Sequence, residues 1–209
     1  MSLFRAVITD ARPLSPTAKL YTLKSLTSDF SFIPGQYTSF TVGGSVRTYS
    51  ICSSPQELPI FEFCVRQVPN GLGTRFLNEH VGKEIELTRP AGDFTLLEDA
   101  SAAGVWFIAA GVGIAPVRPM LRHLLAEKPD AAVLVSYKFH NETEFLFGEE
   151  LQGLTRTHEN FKLEFGMQVP PPAGKSVYLV GPPGFVATTM TSLLQLGYNR
   201  QAIKTDIWE

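Results

Sequence analysis

The hydrophobic pattern of this chain changes period once, and that change constrains the fold more than any single motif. Up to about residue 95 the apolar residues fall in short segments rich in Val, Ile, Thr, Tyr and Phe: "FRAVITDAR", "AKLYTLKSL", "QYTSFTV", "VRTYSICS", "IFEFCVRQV" and "EIELTRP". Pro13, Pro16, Pro34-Gly35, Gly43-Gly44, Pro55, Pro59 and Pro69-Asn70-Gly71 separate them, as turn residues separate strands. Six strands this closely spaced predict a small antiparallel barrel or sandwich. One helix interrupts them: "GTRFLNEHVG" carries Phe76, Leu77 and His80 at helical spacing and is stopped by Gly82.

Beyond Gly104 the pattern differs. "GVWFIAA" is a continuous apolar run, as expected of a strand covered on both faces. "APVRPMLRHLLAEK" follows as a helix with Val117, Met120, Leu121, Leu124 and Leu125 on one stripe. Then come "AAVLVSY" (strand), "FLFGEELQGL" (helix), "FKLEFGM" and "SVYLVG" (strands), "GFVATTMTSLLQLG" (helix) and a last strand in "QAIKTDIWE". Such alternation marks a parallel α/β sheet. The shift in composition across "LLEDASAAG" places a first domain at residues 1–98, a linker at 99–104 and a second domain at 105–209.

Composition removes several functions. The formal net charge is −2 and no basic face is evident, so nucleic acid is not an expected partner. Cys52 and Cys64 are the only cysteines; they form neither a disulfide framework nor a metal pattern. His80, His123, His140 and His158 are scattered, and no metal is expected. Met1 to Arg12 has polar breaks throughout, unlike a secretory leader. The longest apolar run, "GVWFIAAGVGIAPV", is too short and too glycine-rich to span a bilayer. The expectation is a cytoplasmic protein.

Three stretches carry chemistry. "RTYSICSSP" places Arg47, Tyr49 and Ser50 in a strand too polar for a plain core position. Alternation puts residues 47, 49 and 51 on one face and 48 and 50 on the other. In "AAGVGIAPV" a buried strand ends at Gly111-Val112-Gly113 and a helix begins near Ala115-Pro116. Free N–H groups and the helix dipole favour an anion there, although a tight strand–helix turn needs glycine for structural reasons alone. "YLVGPPGF" repeats that geometry at Gly181 to Gly184. In open α/β sheets ligands bind at such strand ends.

Taken in order, "RTYSICSSP", "GLGT" after a Pro-Asn turn, "PAGDF", "AAGVGIAP" and "GPPGF" resemble the ferredoxin–NADP⁺ reductase superfamily over essentially the whole chain. The resemblance is nearest to stand-alone modules similar to the reductase parts of oxygenase systems and flavohaemoglobins. It implies a six-stranded antiparallel flavin-binding barrel followed by a Rossmann-like nucleotide-binding domain. It implies FAD as cofactor and NADH or NADPH as hydride donor, with a separate redox protein such as a ferredoxin, or a small molecule, as electron acceptor. Arg47 would neutralise a flavin phosphate, Tyr49 would pack on the flavin, and Ser50 would reach toward its hydride-accepting N5. Tyr49 and Ser50 are thus the implied catalytic pair. The backbone of Cys64, Val65 and Arg66 would lie along the flavin. Gly71, Gly73 and Thr74 would bind phosphate through N–H groups and the threonine hydroxyl. Gly111, Val112, Gly113 and Pro116 would cradle the dinucleotide pyrophosphate. Val180, Gly181, Pro182, Pro183 and Phe185 would line the nicotinamide side, and Trp208 would stack on the flavin ring or pack on the surface.

The chain departs from the family pattern in three places. Val180 stands where the family usually has cysteine, and Val112 where it commonly has threonine. The segment "PPPAGK" replaces a longer connection. No clear grip for a 2′-phosphate is visible, Lys138 and Arg156 reading as solvated charges, which points to NADH over NADPH. These departures keep open two other readings: a flavin-binding electron-transfer subunit with weak or no dinucleotide activity, and a free-flavin or quinone reductase. Asp93 in "PAGDF" reads as a turn residue.

Overall fold

A computed structural model of the chain describes residues 3–97, 104–166 and 175–208. Most of the expected linker at 99–104, and most of the short connection after "LEFGMQV", lie outside the described residues.

The N-terminal half forms the six expected strands: β1 (Leu3–Pro13), β2 (Ala18–Ser25), β3 (Tyr37–Val42), β4 (Ser45–Ser50), β5 (Ile60–Arg66) and β6 (Glu84–Thr88). All the pairings are antiparallel. Four strands make one sheet in the order β5-β2-β1-β6, and β3-β4 is a separate hairpin. The hairpin closes the sheet into a barrel-like body by a few contacts on each side. Ser39 N–H donates to Thr88 Oγ1 at 3.0 Å and Thr38 Oγ1 to the Thr88 carbonyl at 3.0 Å. On the other side a single bridge joins Ile51 to Phe63. Alternation along β1 buries Phe4, Ala6 and Ile8, against Tyr21, Leu23, Phe61 and Phe63 from β2 and β5. Helix α1 (Leu72–Glu79) follows β5. His80 caps it with its ring stacked on Phe76, centroids 3.9 Å apart.

The C-terminal half is a parallel sheet of β7 (Val105–Ala110), β8 (Val133–Lys138), β9 (Phe161–Phe165), β10 (Ser176–Gly181) and β11 (Ile203–Ile207), in the order β11-β10-β7-β8-β9. Every residue of β7 is buried, because helices cover both faces of a central parallel strand. These are α2 (Ile114–Glu127), α3 (Gly148–Thr157) and α4 (Pro183–Gln195). Helix α3 starts later than the apolar run from Phe145 implies. Phe147 adopts φ 56°, a left-handed backbone that no continuing helix tolerates. The chain winds outward from β7 through β8 to β9, then crosses back to β10 on the other side. The order therefore reverses between β7 and β10, the place where open α/β sheets bind ligands.

The two halves share one apolar core. Ala18, Leu20, Cys52, Cys64 and Phe94 from the first pack in a single cluster with Val117, Met120 and Leu121 from the second. Polar ties flank it: Lys204 Nζ donates to the carbonyls of Asp93 and Thr95, each at 2.9 Å, and Leu97 N–H donates to the Tyr178 hydroxyl at 2.8 Å. Among the described residues no helix is long and apolar enough to cross a membrane.

Candidate functional site

The polar strand and the start of α1 form one cradle. A Cβ built on Gly73 would overlap the Tyr49 hydroxyl and sit 3.2 Å from Arg47 Cγ and 3.3 Å from Tyr49 Cζ. Arg47 and Tyr49 thus lie together over the first turn of α1, as alternation requires, with Ser50 on the opposite side of the strand. The Tyr49 ring stacks on Phe40 at 5.5 Å and leans on Phe63 at 5.9 Å. Burial pushes its phenol up to about 12, partly offset by the Arg47 charge. Ser50 is half-buried and pairs in register with Tyr37. The "PAGDF" turn packs beneath that tyrosine, a Cβ on Gly92 meeting its ring at 2.9 Å. Thr74 departs from expectation: its buried hydroxyl donates to the carbonyls of Val68 and Gly71. It closes the turn together with the Gly71 N–H, which donates to the Val68 carbonyl at 2.9 Å.

Strands β4 and β5 diverge beyond the Ile51–Phe63 bridge. Past it, Cys64, Val65 and Arg66 pair with β2 on one side, and among the described residues no strand pairs with them on the other. An open edge beside Arg47, Tyr49 and Ser50 fits a flat polar ring held by backbone groups. Both thiols are buried; burial pushes Cys64 up to about 12 and Cys52 well above its ordinary value. They are core groups, not nucleophiles.

The second half of the site is the reversal point. β7 runs into a 3₁₀ turn, Gly111–Gly113, that launches α2. Gly111 has φ 53°, and its carbonyl accepts from the Tyr137 hydroxyl at 2.9 Å. Gly113 is needed for close approach: a Cβ there would meet the Val180 carbonyl at 3.0 Å and Trp208 Nε1 at 3.3 Å. Pro116 is buried in the first turn of α2, where a missing N–H costs little. Val180 is fully buried in the shared core. Next to it, Gly181 makes room for Phe185 and Ala110, and Pro182 and Pro183 open α4. Trp208 lies across the glycine turn. Its N–H donates to the Gly181 carbonyl at 3.3 Å, and its indole Nε1 is buried without a hydrogen-bond partner. An orphaned donor over a glycine cradle fits a site that receives an anionic or carbonyl-bearing ligand.

Two cavities flank this turn. One of ≈ 560 Å³ lies between the halves, lined by Thr17 and Arg66 from the barrel and by Gly111, Val112, His140 and Trp208. The other, ≈ 740 Å³, sits at the ends of β8 and β9 and is lined by Lys138, Phe139, Phe165, Phe185 and Thr188. Phe185 therefore faces this second cavity, with Lys138 Nζ 5.8 Å from its ring centre, and not the one holding Trp208.

Sequence reasoning missed two groups. Asp206 pairs in register with Val180; burial raises its carboxyl, Asp93 adds to the rise, and the Ile207 backbone partly offsets it. Arg118 is the one charged side chain among the buried described residues. Its partners are far away in sequence, so no local signal could reveal them.

The oxidoreductase FAD-binding domain family matches residues 5–96, and the oxidoreductase NAD-binding domain family residues 107–176. Ferredoxin–NADP reductase B of Sorangium cellulosum is 30% identical over 167 residues, covering 77% of this chain and 68% of that protein. Phenol hydroxylase P5 protein of Acinetobacter pittii is 25% identical over 231 residues, covering 97% and 65%. This chain thus spans about two thirds of the length of these relatives. The solved Amycolatopsis cytochrome P450 reductase superposes with a TM-score of 0.89 at 23% identity, over 99% of this chain and 69% of that one. Domain matches in this order, a relative aligned over most of both chains, and a barrel joined to a parallel sheet lead to one conclusion: the chain belongs to the ferredoxin–NADP⁺ reductase superfamily of FAD- and nicotinamide-binding oxidoreductases.

Proposed function

We propose that this protein takes a hydride equivalent from a nicotinamide dinucleotide onto FAD and passes electrons to a separate redox protein, an oxygenase component or a ferredoxin-type carrier. One observation carries the reading. A single cavity is lined both by Arg66, beside the open edge of β5, and by Gly111, Val112 and Trp208 at the reversal point of the parallel sheet. Two redox groups held on those two halves would meet there.

When bound, the two cofactors supply the redox chemistry. The chain's residues hold and orient them. Arg47 and the N–H groups of the first turn of α1, Gly73 among them, balance flavin phosphate charge. Tyr49 supports the flavin, Ser50 faces its reacting edge, and the backbone of Cys64 to Arg66 lines it. Gly111, Val112, Gly113 and Pro116 take the pyrophosphate on the start of α2. Val180, Gly181, Pro182 and Pro183 shape the nicotinamide side, and the Trp208 indole keeps water from the turn until a ligand enters. The domain division at residues 1–98 and 105–209 follows the same split of roles.

The second cavity refines the donor. It offers three phenylalanine rings to an adenosine, Phe139, Phe165 and Phe185, and Lys138 is the one charged side chain lining it among the described residues. A carboxylate at this strand end selects the ribose 2′-hydroxyl of NADH, whereas a cation accommodates the 2′-phosphate of NADPH. Lys138 therefore favours NADPH, reversing the preference drawn from sequence.

The test is direct. The purified protein, loaded with FAD, is mixed anaerobically with NADPH and with NADH, and the visible spectrum is followed. Bleaching, faster with NADPH, supports the reading. A yellow protein bleached by neither is an electron-transfer subunit without dinucleotide activity. A protein that takes up no FAD refutes the flavin assignment.

A further inference from the structure

The buried guanidinium of Arg118 joins the two halves of the site without touching either cofactor cradle. Its Nη1 donates to the Cys52 carbonyl at 2.9 Å and to Glu62 Oε2 at 2.9 Å, and its Nε donates to Glu150 Oε2 at 2.8 Å. Its face lies 4.4 Å from the centre of the Phe147 ring. Cys52 follows Ser50 by two residues, and its own N–H donates to the Glu62 carbonyl at 2.8 Å. One side chain therefore grips the segment leaving β4 and strand β5 next to the Ile51–Phe63 bridge, beyond which β4 and β5 part. Arg118 itself sits near the start of α2, the helix launched by the Gly111–Gly113 turn. Arg122, one turn on, repeats the span: its Nε donates to Glu150 Oε1 at 2.6 Å and its Nη1 to Glu57 Oε1 at 2.8 Å.

We infer that Arg118 is a positioning residue that sets the register between the flavin strand and the dinucleotide turn. The inference rests on the flavin–dinucleotide reading given above. A mere staple could sit anywhere on the shared interface. This one is fixed at both ends close to the elements whose separation matters. Hydride transfer needs the reacting atoms about 3–3.5 Å apart, and a misplacement of about 1 Å costs on the order of 100-fold in rate. A buried ion pair is weak evidence for stability, and its better-attested use is to specify register. The planar fork of arginine is required, because the three donors of a lysine ammonium all sit on one compact nitrogen and cannot span a carbonyl and two carboxylates reached from different guanidinium nitrogens.

The test compares wild type, Arg118→Lys and, as a destabilised control, Leu193→Ala in α4, whose side chain is buried in the separate cluster with Trp106 and Ile108. Amide hydrogen exchange is measured on the flavin-free proteins. Stopped-flow reduction by NADPH, with dinucleotide affinity measured separately, is followed on the FAD-loaded ones. Arg118→Lys is expected to speed exchange at Ile51 and Cys52 together with residues 113–117. It should leave dinucleotide affinity within about threefold and slow the limiting reduction rate by about 10–100-fold. Leu193→Ala should do neither. A limiting rate within about twofold of wild type, or exchange changed no more than in the control, overturns the inference. Where Arg118→Lys does not fold, Glu62→Gln decides: a slowing of about 3–10-fold supports it, and an unchanged rate overturns it. A wild type that takes FAD but is not reduced refutes the underlying reading, and the register role with it.

Discussion

Gly73→Ala tests whether the flavin cradle is already formed in the folded chain. Gly73 lies inside α1, so its backbone accepts alanine. Helix propensity alone then predicts a gain of about 0.5–1 kcal/mol. Packing predicts the reverse. The new methyl would overlap the Tyr49 hydroxyl and sit 3.2 Å from Arg47 Cγ. Tyr49 cannot swing aside freely, because its ring is stacked on Phe40 and leans on Phe63. Overpacking of this kind costs about 1–3 kcal/mol. The net is a loss of about 0–2.5 kcal/mol, a fall in melting temperature of at most about 10 °C. Flavin binding is hit harder, because both displaced side chains belong to the cradle and no propensity gain offsets the loss. The same 1–3 kcal/mol there weakens FAD about 5- to 150-fold. Thermal melting of the flavin-free protein and titration by flavin fluorescence quenching measure the two effects. A variant that melts 2 °C or more above wild type, with unchanged FAD affinity, would show that Arg47 and Tyr49 move freely and that the cradle is not preformed.

Three further outcomes are expected. Lys138→Glu should replace a cation with a carboxylate at the end of β8 and shift the kcat/KM preference toward NADH by at least about tenfold, since 1.4 kcal/mol is tenfold; an unchanged ratio removes Lys138 from donor selection. Asp206 has its carboxyl raised by burial and by Asp93. Its contribution to stability is therefore complete below the unfolded value near 3.8 and is lost as pH rises through the raised folded value. Asp206→Asn should accordingly raise the melting temperature at pH 7 more than at pH 4, and equal shifts at both would refute the assignment. Cys52 and Cys64, buried with raised thiols, should resist a thiol reagent in the native state and react only on unfolding; rapid native labelling of either would place it outside the core.

Among the described residues the eleven strands and four α-helices were legible from period and turn residues, because each depends on local hydrophobic periodicity. The placing of Arg47, Tyr49 and Ser50 on one strand was legible for the same reason, whereas their expected roles toward a flavin came from the family resemblance and not from alternation. What stayed hidden depends on contacts between distant segments. Arg118 sits beside the apolar stripe of α2, and nothing in the neighbouring sequence names its partners. Only the fold brings Cys52, Glu62 and Glu150 to it, across 66, 56 and 32 residues. Phe185 was read toward the nicotinamide, because "GPPGF" gives its position in sequence but not the side of the sheet it faces. The hydroxyl of Thr74 looked available to a ligand; the tight turn at Val68 to Gly71 satisfies its own carbonyls with it.

The apolar cluster that Leu20, Cys52, Cys64 and Phe94 share with Val117 and Met120 bears on how such reductases can be recombined. A chimera cut at the junction between barrel and sheet inherits two half-surfaces that never matured together. Each graft would bare greasy residues that its new neighbour was not shaped to cover, however well its own cofactor motifs survive. Swapping nucleotide preference or electron acceptor by exchanging whole modules would fail at this seam before any catalytic residue was tested. The seam makes barrel and sheet a single inheritable body.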